Sequence, residues 1–187
     1  AGHPGFDQCV SEMLDDKTIL TKSKSGNWQW RWTFYNDHAR MSMEKTDPEH
    51  AYWFLYEGPV AGKFKPARQY WGTDTEGPRF ESPSLNEGEH VAGTWQWAYF
   101  GDTTVNRVFF TAQQNPDSLT DYFAYMGSTD EANDAPDGMV VFGFCRAKGA
   151  KPLMTDTNSF VIGFLEKKVT SENDHQWVNN QINKLWE

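Results

Sequence analysis

Glu57, Tyr70 and Arg79 are residue types that could perform acid–base chemistry, and they lie within one stretch of the chain. Glu57 follows an aromatic run, and burial among those rings would raise its pKa, as a general acid requires. A tyrosine can act as a general base, and an arginine can neutralise a substrate carboxylate. The sequence therefore predicts these three as candidate catalytic residues. Neither glycoside hydrolysis nor β-elimination is marked by a defining spacing.

The segment from Gly58 to about Val91 reads as a long connection that holds four of the nine prolines. Loops of this length inside a compact domain are more often functional than idle, and its cations would suit the carboxylates of an acidic sugar. Ordinary surface charge pairs on a solvated loop are the alternative. The candidate ligand-binding residues in this segment are Lys63, Arg68, Trp71, Asp74 and Glu76.

Two tryptophan runs, NWQWRWTF at 27–34 and TWQWAYF at 94–100, alternate as strands do. Alternation sends the indoles of each run to one face and leaves Arg31 and Gln96 on the opposite faces as further ligand-binding candidates. The indoles could fill a core or form a stacking platform. We favour the core for Trp28, Trp30 and Trp32, and we expect Tyr70 and Trp71 to be the exposed aromatic residues.

The acidic loop GSTDEANDAPDG, at 127–138, could supply oxygen ligands for a structural Ca²⁺. Asp130, Asp134 and Asp137 are the candidate metal ligands, and a solvated acidic turn is the alternative. No other cofactor is predicted. Cys9 and Cys145 could form one long-range disulfide or could both be small buried residues.

The elements that must position these residues are mainly strands. Nine short alternating segments between residues 18 and 167 predict an antiparallel β-sandwich of jelly-roll or concanavalin-like type, in a single domain spanning 1–187. Apolar stripes predict amphipathic helices at 4–16 and 172–186, the second opened by a capping box at Ser171 and Asp174.

The bulk composition excludes several classes of protein. A net charge of −9 disfavours nucleic acid, and the chain lacks the roughly 20-residue apolar run of a membrane-spanning helix. Its 16% aromatic content excludes a disordered chain. The oligomeric state is left open.

In aromatic content and predicted architecture the chain is similar to carbohydrate-binding modules and to sandwich-fold polysaccharide lyases. The aromatic faces, with polar groups beside them, favour recognition of a polysaccharide or oligosaccharide, and we expect a secreted or extracytoplasmic protein. A lyase or glycoside hydrolase on the same fold is the first alternative, and a structural or assembly domain is the second.

Overall fold

The computed structural model describes residues 8–58, 64–128 and 130–186. These residues form fourteen strands and one α-helix, together with short 3₁₀ turns at Pro66–Arg68, Leu85–Glu87 and Lys184–Trp186. In chain order the strands and the helix are β1 (Val10–Met13), β2 (Thr18–Lys22), β3 (Gln29–Phe34), β4 (His38–Lys45), β5 (Phe54–Gly58), β6 (Gln69–Thr73), β7 (Val91–Gly93), β8 (Trp97–Asp102), β9 (Val108–Gln113), β10 (Asp121–Met126), β11 (Met139–Phe144), β12 (Arg146–Ala147), β13 (Lys151–Pro152), β14 (Ser159–Leu165) and α1 (Glu172–Asn183).

Two antiparallel sheets dominate the structure. The large sheet has eight strands in the order β1-β2-β3-β4-β14-β9-β8-β6, and the small sheet has four in the order β5-β11-β10-β7. Strands β12 and β13 form a separate pair. The prediction of a mainly β, antiparallel fold is confirmed.

The small sheet packs face to face on only one half of the large sheet. Phe54 of β5 stacks on Phe160 of β14 with ring centroids 4.6 Å apart, and Tyr56 of β5 stacks on Phe109 of β9 at 4.1 Å. Beyond these pairs, Trp71 of β6 meets Phe123 of β10 at 4.9 Å. The small sheet thus covers β14, β9, β8 and β6, and the strands β1 to β4 extend past its edge strand β5.

Helix α1 packs on the other face of the large sheet. Its Val178 and Ile182 are fully buried against a layer that includes Trp97 and Tyr99. His175 Nδ1 lies 3.0 Å from the Tyr99 hydroxyl, and burial lowers the pKa of this histidine. The Ser171 side chain accepts a hydrogen bond from the Asp174 amide, so the predicted C-terminal helix and its cap are confirmed, although the α-helix ends at Asn183 and a 3₁₀ turn covers Lys184–Trp186.

The predicted N-terminal helix is wrong where it can be checked. Residues 1–7 of the predicted span 4–16 lie outside the described residues, and Val10–Met13 form strand β1. Short apolar runs fit both periods, and all four residues of β1 pair with β2 at the edge of the large sheet. No helix among the described residues is long and apolar enough to cross a membrane.

Candidate functional site

A groove opens where β1 to β4 extend past the small sheet. Its volume is about 830 Å³, and we call it the tryptophan groove. Its floor is the inner face of β1 to β4, and its wall is the segment from Ala51 into β5. The lining residues are Cys9, Ser11, Ile19, Thr21, Trp28, Trp30, Trp32, Met41, Met43, Ala51, Tyr52, Trp53, Phe54, Leu55, Glu57 and Pro152.

Strand alternation places the indoles of the first tryptophan run on this floor. Trp28 is buried at one end, in edge contact with the Tyr52 ring at 5.7 Å. Trp30 and Trp32 are only half-buried and pack against the edge of the core. The preference for a core position is met at Trp28, whereas Trp30 and Trp32 are only partly buried at the margin of the core. Because the small sheet stops at β5, their indole surfaces face a cavity instead of a second sheet.

Arg31 points away from the groove. It lies on the reverse face of β3, where its Nη2 is 2.7 Å from Glu44 Oε1. The sequence correctly put Arg31 on the face opposite the indoles, and for that reason it cannot contact a ligand that rests on them.

The wall is held in place by backbone pairing. Tyr52 exchanges two hydrogen bonds with Met154, at 2.7 and 2.9 Å. The Tyr52 hydroxyl donates to the Asp156 carbonyl at 2.6 Å, and burial raises the pKa of this phenol. These bonds fix the aromatic wall opposite the tryptophan floor.

Polar groups in the groove are few. The hydroxyls of Ser11 and Thr21, on neighbouring strands of the floor, lie 2.9 Å apart. Glu57 is the only charged residue among the described residues that line the groove. The predicted burial of Glu57 is wrong, because β5 is an edge strand and Glu57 points out from it with its side chain exposed.

Tyr70 and Trp71 are not exposed, contrary to the expectation from the sequence. The segment 58–91 contains strand β6, which pairs with β8. Tyr70 is fully buried on the α1 side, its hydroxyl accepts from the Val169 amide at 3.0 Å, and burial raises its pKa. Trp71 is buried between the sheets and donates from its indole to the Glu81 carbonyl at 3.0 Å.

Arg79 and Arg68 lie at the opposite edge of the large sheet from the groove. Arg79 pairs with β6 and its guanidinium lies 2.7 Å from Glu76 and 2.6 Å from Glu81, which raises the pKa of the arginine. Arg68 lies 3.3 Å from Asp102. Strand β6 is last in the sheet order, whereas β1 to β4 are at the other end. The structure therefore does not bring Glu57, Tyr70 and Arg79 into one site.

The remaining candidates of this region are also dispersed. Asp74 is exposed just after β6, and Gln96 lies half-buried at a bend before β8. Lys63 lies outside the described residues.

The second tryptophan run is structural. Trp95 packs between the sheets with Phe123 and Phe142, whereas Trp97 and Tyr99 pack under α1. The predicted shared face for Trp95 and Trp97 is wrong, because β8 begins only at Trp97 and the bend at Gln96 breaks the alternation. The first run thus lines the groove, whereas the tryptophans of the second run are buried in the core.

The acidic loop does not gather its carboxylates. Asp134 lies 2.6 Å from Lys65 Nζ. Asp137 accepts hydrogen bonds from the amide and the hydroxyl of Ser128, which lower the pKa of the carboxyl, and Asp130 is exposed. Within the described ranges no three potential ligands form a group that could hold a metal ion. The geometry therefore gives the calcium expectation no support.

Cys9 and Cys145 are not joined by a disulfide. Cys9 lies at the end of the groove, while Cys145 is fully buried and donates its backbone amide to Asp121 at 2.7 Å. The other oxygen of Asp121 accepts from the Trp95 amide at 2.7 Å. Sequence reasoning missed Asp121, since one acid at the start of a strand carries no pattern that marks it as buried.

Comparisons with known proteins bear on the fold alone. No protein-family model matches the chain, and no curated protein matches its sequence. The chain is similar to a solved structure described as "Crystal Structure Analysis of HI1317", with a TM-score of 0.53 and 9% sequence identity. The match covers 83% of this chain but only 63% of that one, so the chain spans less than two thirds of its length. At this identity the shared property is a β-rich fold.

Proposed function

We propose that the protein recognises a carbohydrate, a polysaccharide or an oligosaccharide of it, in the tryptophan groove. The observation that carries the proposal is the pair of half-buried indoles, Trp30 and Trp32, on a sheet face that the second sheet leaves uncovered. Large half-exposed aromatic residues on one concave surface are typical of ligand sites.

The chemistry of the groove suits a sugar ring. A pyranose has one face of C–H bonds, which can lie flat on an indole, and a rim of hydroxyls that needs hydrogen-bond partners. Trp30 and Trp32 offer the flat surfaces, and the hydroxyls of Ser11 and Thr21 offer donors and acceptors beside them. A groove of about 830 Å³ falls in the range of small-ligand sites, which is roughly 300–1,000 Å³.

Binding without cleavage fits the groove better than catalysis. Glycoside hydrolysis requires two carboxyl groups that face each other across the scissile bond, and the described lining residues include one acid, Glu57. β-Elimination on a uronate requires a cation beside the substrate carboxylate, and the same lining includes neither lysine nor arginine. Together with the polysaccharide ligand, we propose an extracytoplasmic location for the protein.

Replacing the two indoles tests this function. We expect Trp30→Ala and Trp32→Ala each to weaken glycan binding at least about five-fold, since an aromatic contact of this kind contributes roughly 1 kcal/mol beyond its buried area. The screen is the tryptophan fluorescence of the wild-type protein titrated with neutral and acidic glycans, and calorimetry then measures the affinity of each variant.

Trp177 provides the matched control. It is half-buried on α1, on the other side of the large sheet, under the ammonium of Lys167 at 5.0 Å. Trp177→Ala should leave glycan affinity unchanged. No response of the wild-type protein at millimolar glycan, or an equal loss of affinity in Trp177→Ala, would contradict the proposed function.

A further inference from the structure

The floor of the tryptophan groove consists of two rows of side chains with different chemistry. Cross-strand pairing puts Ile19 opposite Trp32 and Trp32 opposite Met41, so the first row is wholly apolar. The second row lies two residues along each strand, about 7 Å away. It joins Ser11, Thr21, Trp30 and Met43, and the hydroxyl pair of Ser11 and Thr21 gives it a polar end.

The two rows favour different chemical groups on a bound ligand. A hydroxyl over Ile19, Trp32 and Met41 would lose its hydration without gaining a partner from those side chains, which costs free energy. A methyl group in the same place is stabilised by leaving water. Over Ser11 and Thr21 the preference is reversed, because their hydroxyls can bond to a hydroxyl of the ligand.

The charge of the groove adds a second constraint. Glu57 stands alone among the described lining residues as a charged group, and Arg68 and Arg79 are at the far edge of the sheet. An acidic sugar would lose part of its hydration and find no cation among the described lining residues, and the one acid there, Glu57, points out from β5. A charge that loses its hydration without gaining a partner costs free energy, so the groove favours an uncharged ligand.

These observations, resting on the proposed function, define the class of sugar. We infer that the tryptophan groove binds an uncharged sugar unit that carries a methyl group, as a 6-deoxy, O-methyl or O-acetyl sugar does. The methyl group lies over Ile19, Trp32 and Met41, and the ring hydroxyls meet Ser11 and Thr21. This differs from the expectation of an acidic sugar, and two of the cations expected to hold it, Arg68 and Arg79, lie at the far edge of the large sheet.

Sugars that differ at a single carbon test the inference. The free sugars D-fucose, D-galactose and D-galacturonate share one ring and carry a methyl, a hydroxymethyl or a carboxylate at C6, with no other methyl group. The series of quinovose, glucose and glucuronate does the same on the glucose ring. In the series that fits the groove, we expect the methyl sugar to bind about four-fold tighter than the hydroxymethyl sugar, the effect of burying one such group. The carboxylate sugar should bind weakest.

Variants of the groove residues test which side chains cause the preference for the methyl sugar. Met41→Gln keeps the length of the side chain and should remove the preference for the methyl sugar while retaining binding of the hydroxymethyl sugar. Thr21→Val keeps the shape and should weaken both neutral sugars equally. Arg31→Gln, on the reverse face of β3, is the matched control and should change none of these ratios.

The outcomes separate this inference from the proposed function. Binding in which the hydroxymethyl or carboxylate sugar equals or exceeds the methyl sugar overturns the inference and leaves carbohydrate recognition standing. A preference for the methyl sugar that survives Met41→Gln also overturns it, because the apolar row would then not be its source. If no sugar of either series and no longer glycan binds, the proposed function fails and the inference falls with it.

Discussion

At the scale of single residues, Asp121 connects three parts of the structure. Its carboxyl group has no exposed surface, and its two oxygens accept backbone hydrogen bonds from Trp95 before β8 and from Cys145 after β11. Burial raises the pKa of this carboxyl to about 7, against the two hydrogen bonds, which lower it. The residue therefore holds together the ends of strands from both sheets, and it titrates near neutral pH.

The stability of the protein should consequently depend on pH through Asp121. In the unfolded chain an aspartate has a pKa of about 3.9, so the folded state binds more protons between about pH 4 and pH 7. The contribution of Asp121 to the free energy of unfolding is present below about pH 4 and is lost as the pH rises toward 7, at no more than about 1.4 kcal/mol per pH unit. Urea unfolding of the wild-type protein and Asp121→Asn at pH 5 and pH 7.5 measures this loss.

We expect the decline between the two pH values to be smaller in Asp121→Asn, because an amide does not ionise. Asp130→Asn, at an exposed position, should keep the decline of the wild-type protein. An equal decline in Asp121→Asn would show that other groups cause the pH dependence.

At the scale of elements, helix α1 illustrates how far local sequence determines structure. Ser171 caps the helix by accepting from the Asp174 amide at 3.2 Å. The Asp174 carboxylate is held by the Lys167 ammonium and by Thr170 and Ser171, and these bonds lower its pKa. Both the cap and the buried stripe could be predicted from the sequence, because they depend on residues only three or four positions apart.

Removing this cap should destabilise the protein without changing the groove. We expect Ser171→Ala to lower the free energy of unfolding by about 1 kcal/mol, the usual cost of losing a capping serine. Chemical denaturation measures the change. Ser118→Ala, at an exposed turn before β10, is the comparison and should have little effect. If Ser118→Ala lowered the free energy of unfolding as much as Ser171→Ala, the loss of the cap would not explain the effect of Ser171→Ala.

The strands show where local patterns stop being sufficient. Alternation correctly indicated antiparallel strands and put Arg31 opposite the indoles of β3. It could not show that β3 lies beyond the edge of the small sheet, because that depends on how two sheets are offset. The strand β6 was missed since prolines and glycines flank it, and with it the burial of Tyr70 and Trp71. The groove itself combines residues of β1 to β5, which only the tertiary fold brings together.

At the scale of the whole molecule, the layers explain the location of the candidate site. Helix α1, the large sheet and the small sheet overlap on β14, β9, β8 and β6. The small sheet leaves the rest of the large sheet uncovered, and this uncovered face is the floor of the groove. The face-to-face sheets and the antiparallel order are seen directly. The jelly-roll or concanavalin-like assignment and the single-domain organisation stay predictions.

The exposed edge of the large sheet offers a test that distinguishes ligand recognition from assembly. Strand β1 is an edge strand whose four residues are exposed, and Val10 keeps 60% of its surface accessible. A second copy could add to this edge if the protein were an assembly domain. Under the proposed function we expect Val10→Glu to leave both the mass in solution and the glycan affinity unchanged, as measured by sedimentation and calorimetry. A concentration-dependent mass of the wild-type protein that is lost in Val10→Glu would favour assembly.

The position of β14 in the large sheet has a consequence for the synthesis of the chain. Ser159–Leu165 pairs with β4 on one side and with β9 on the other, and these partners precede it by many residues. A chain emerging from the ribosome makes both halves of the large sheet before it makes the strand that joins them. Until then β4 and β9 each present an open edge, so the nascent chain is exposed to mispairing and to chaperone capture at that stage.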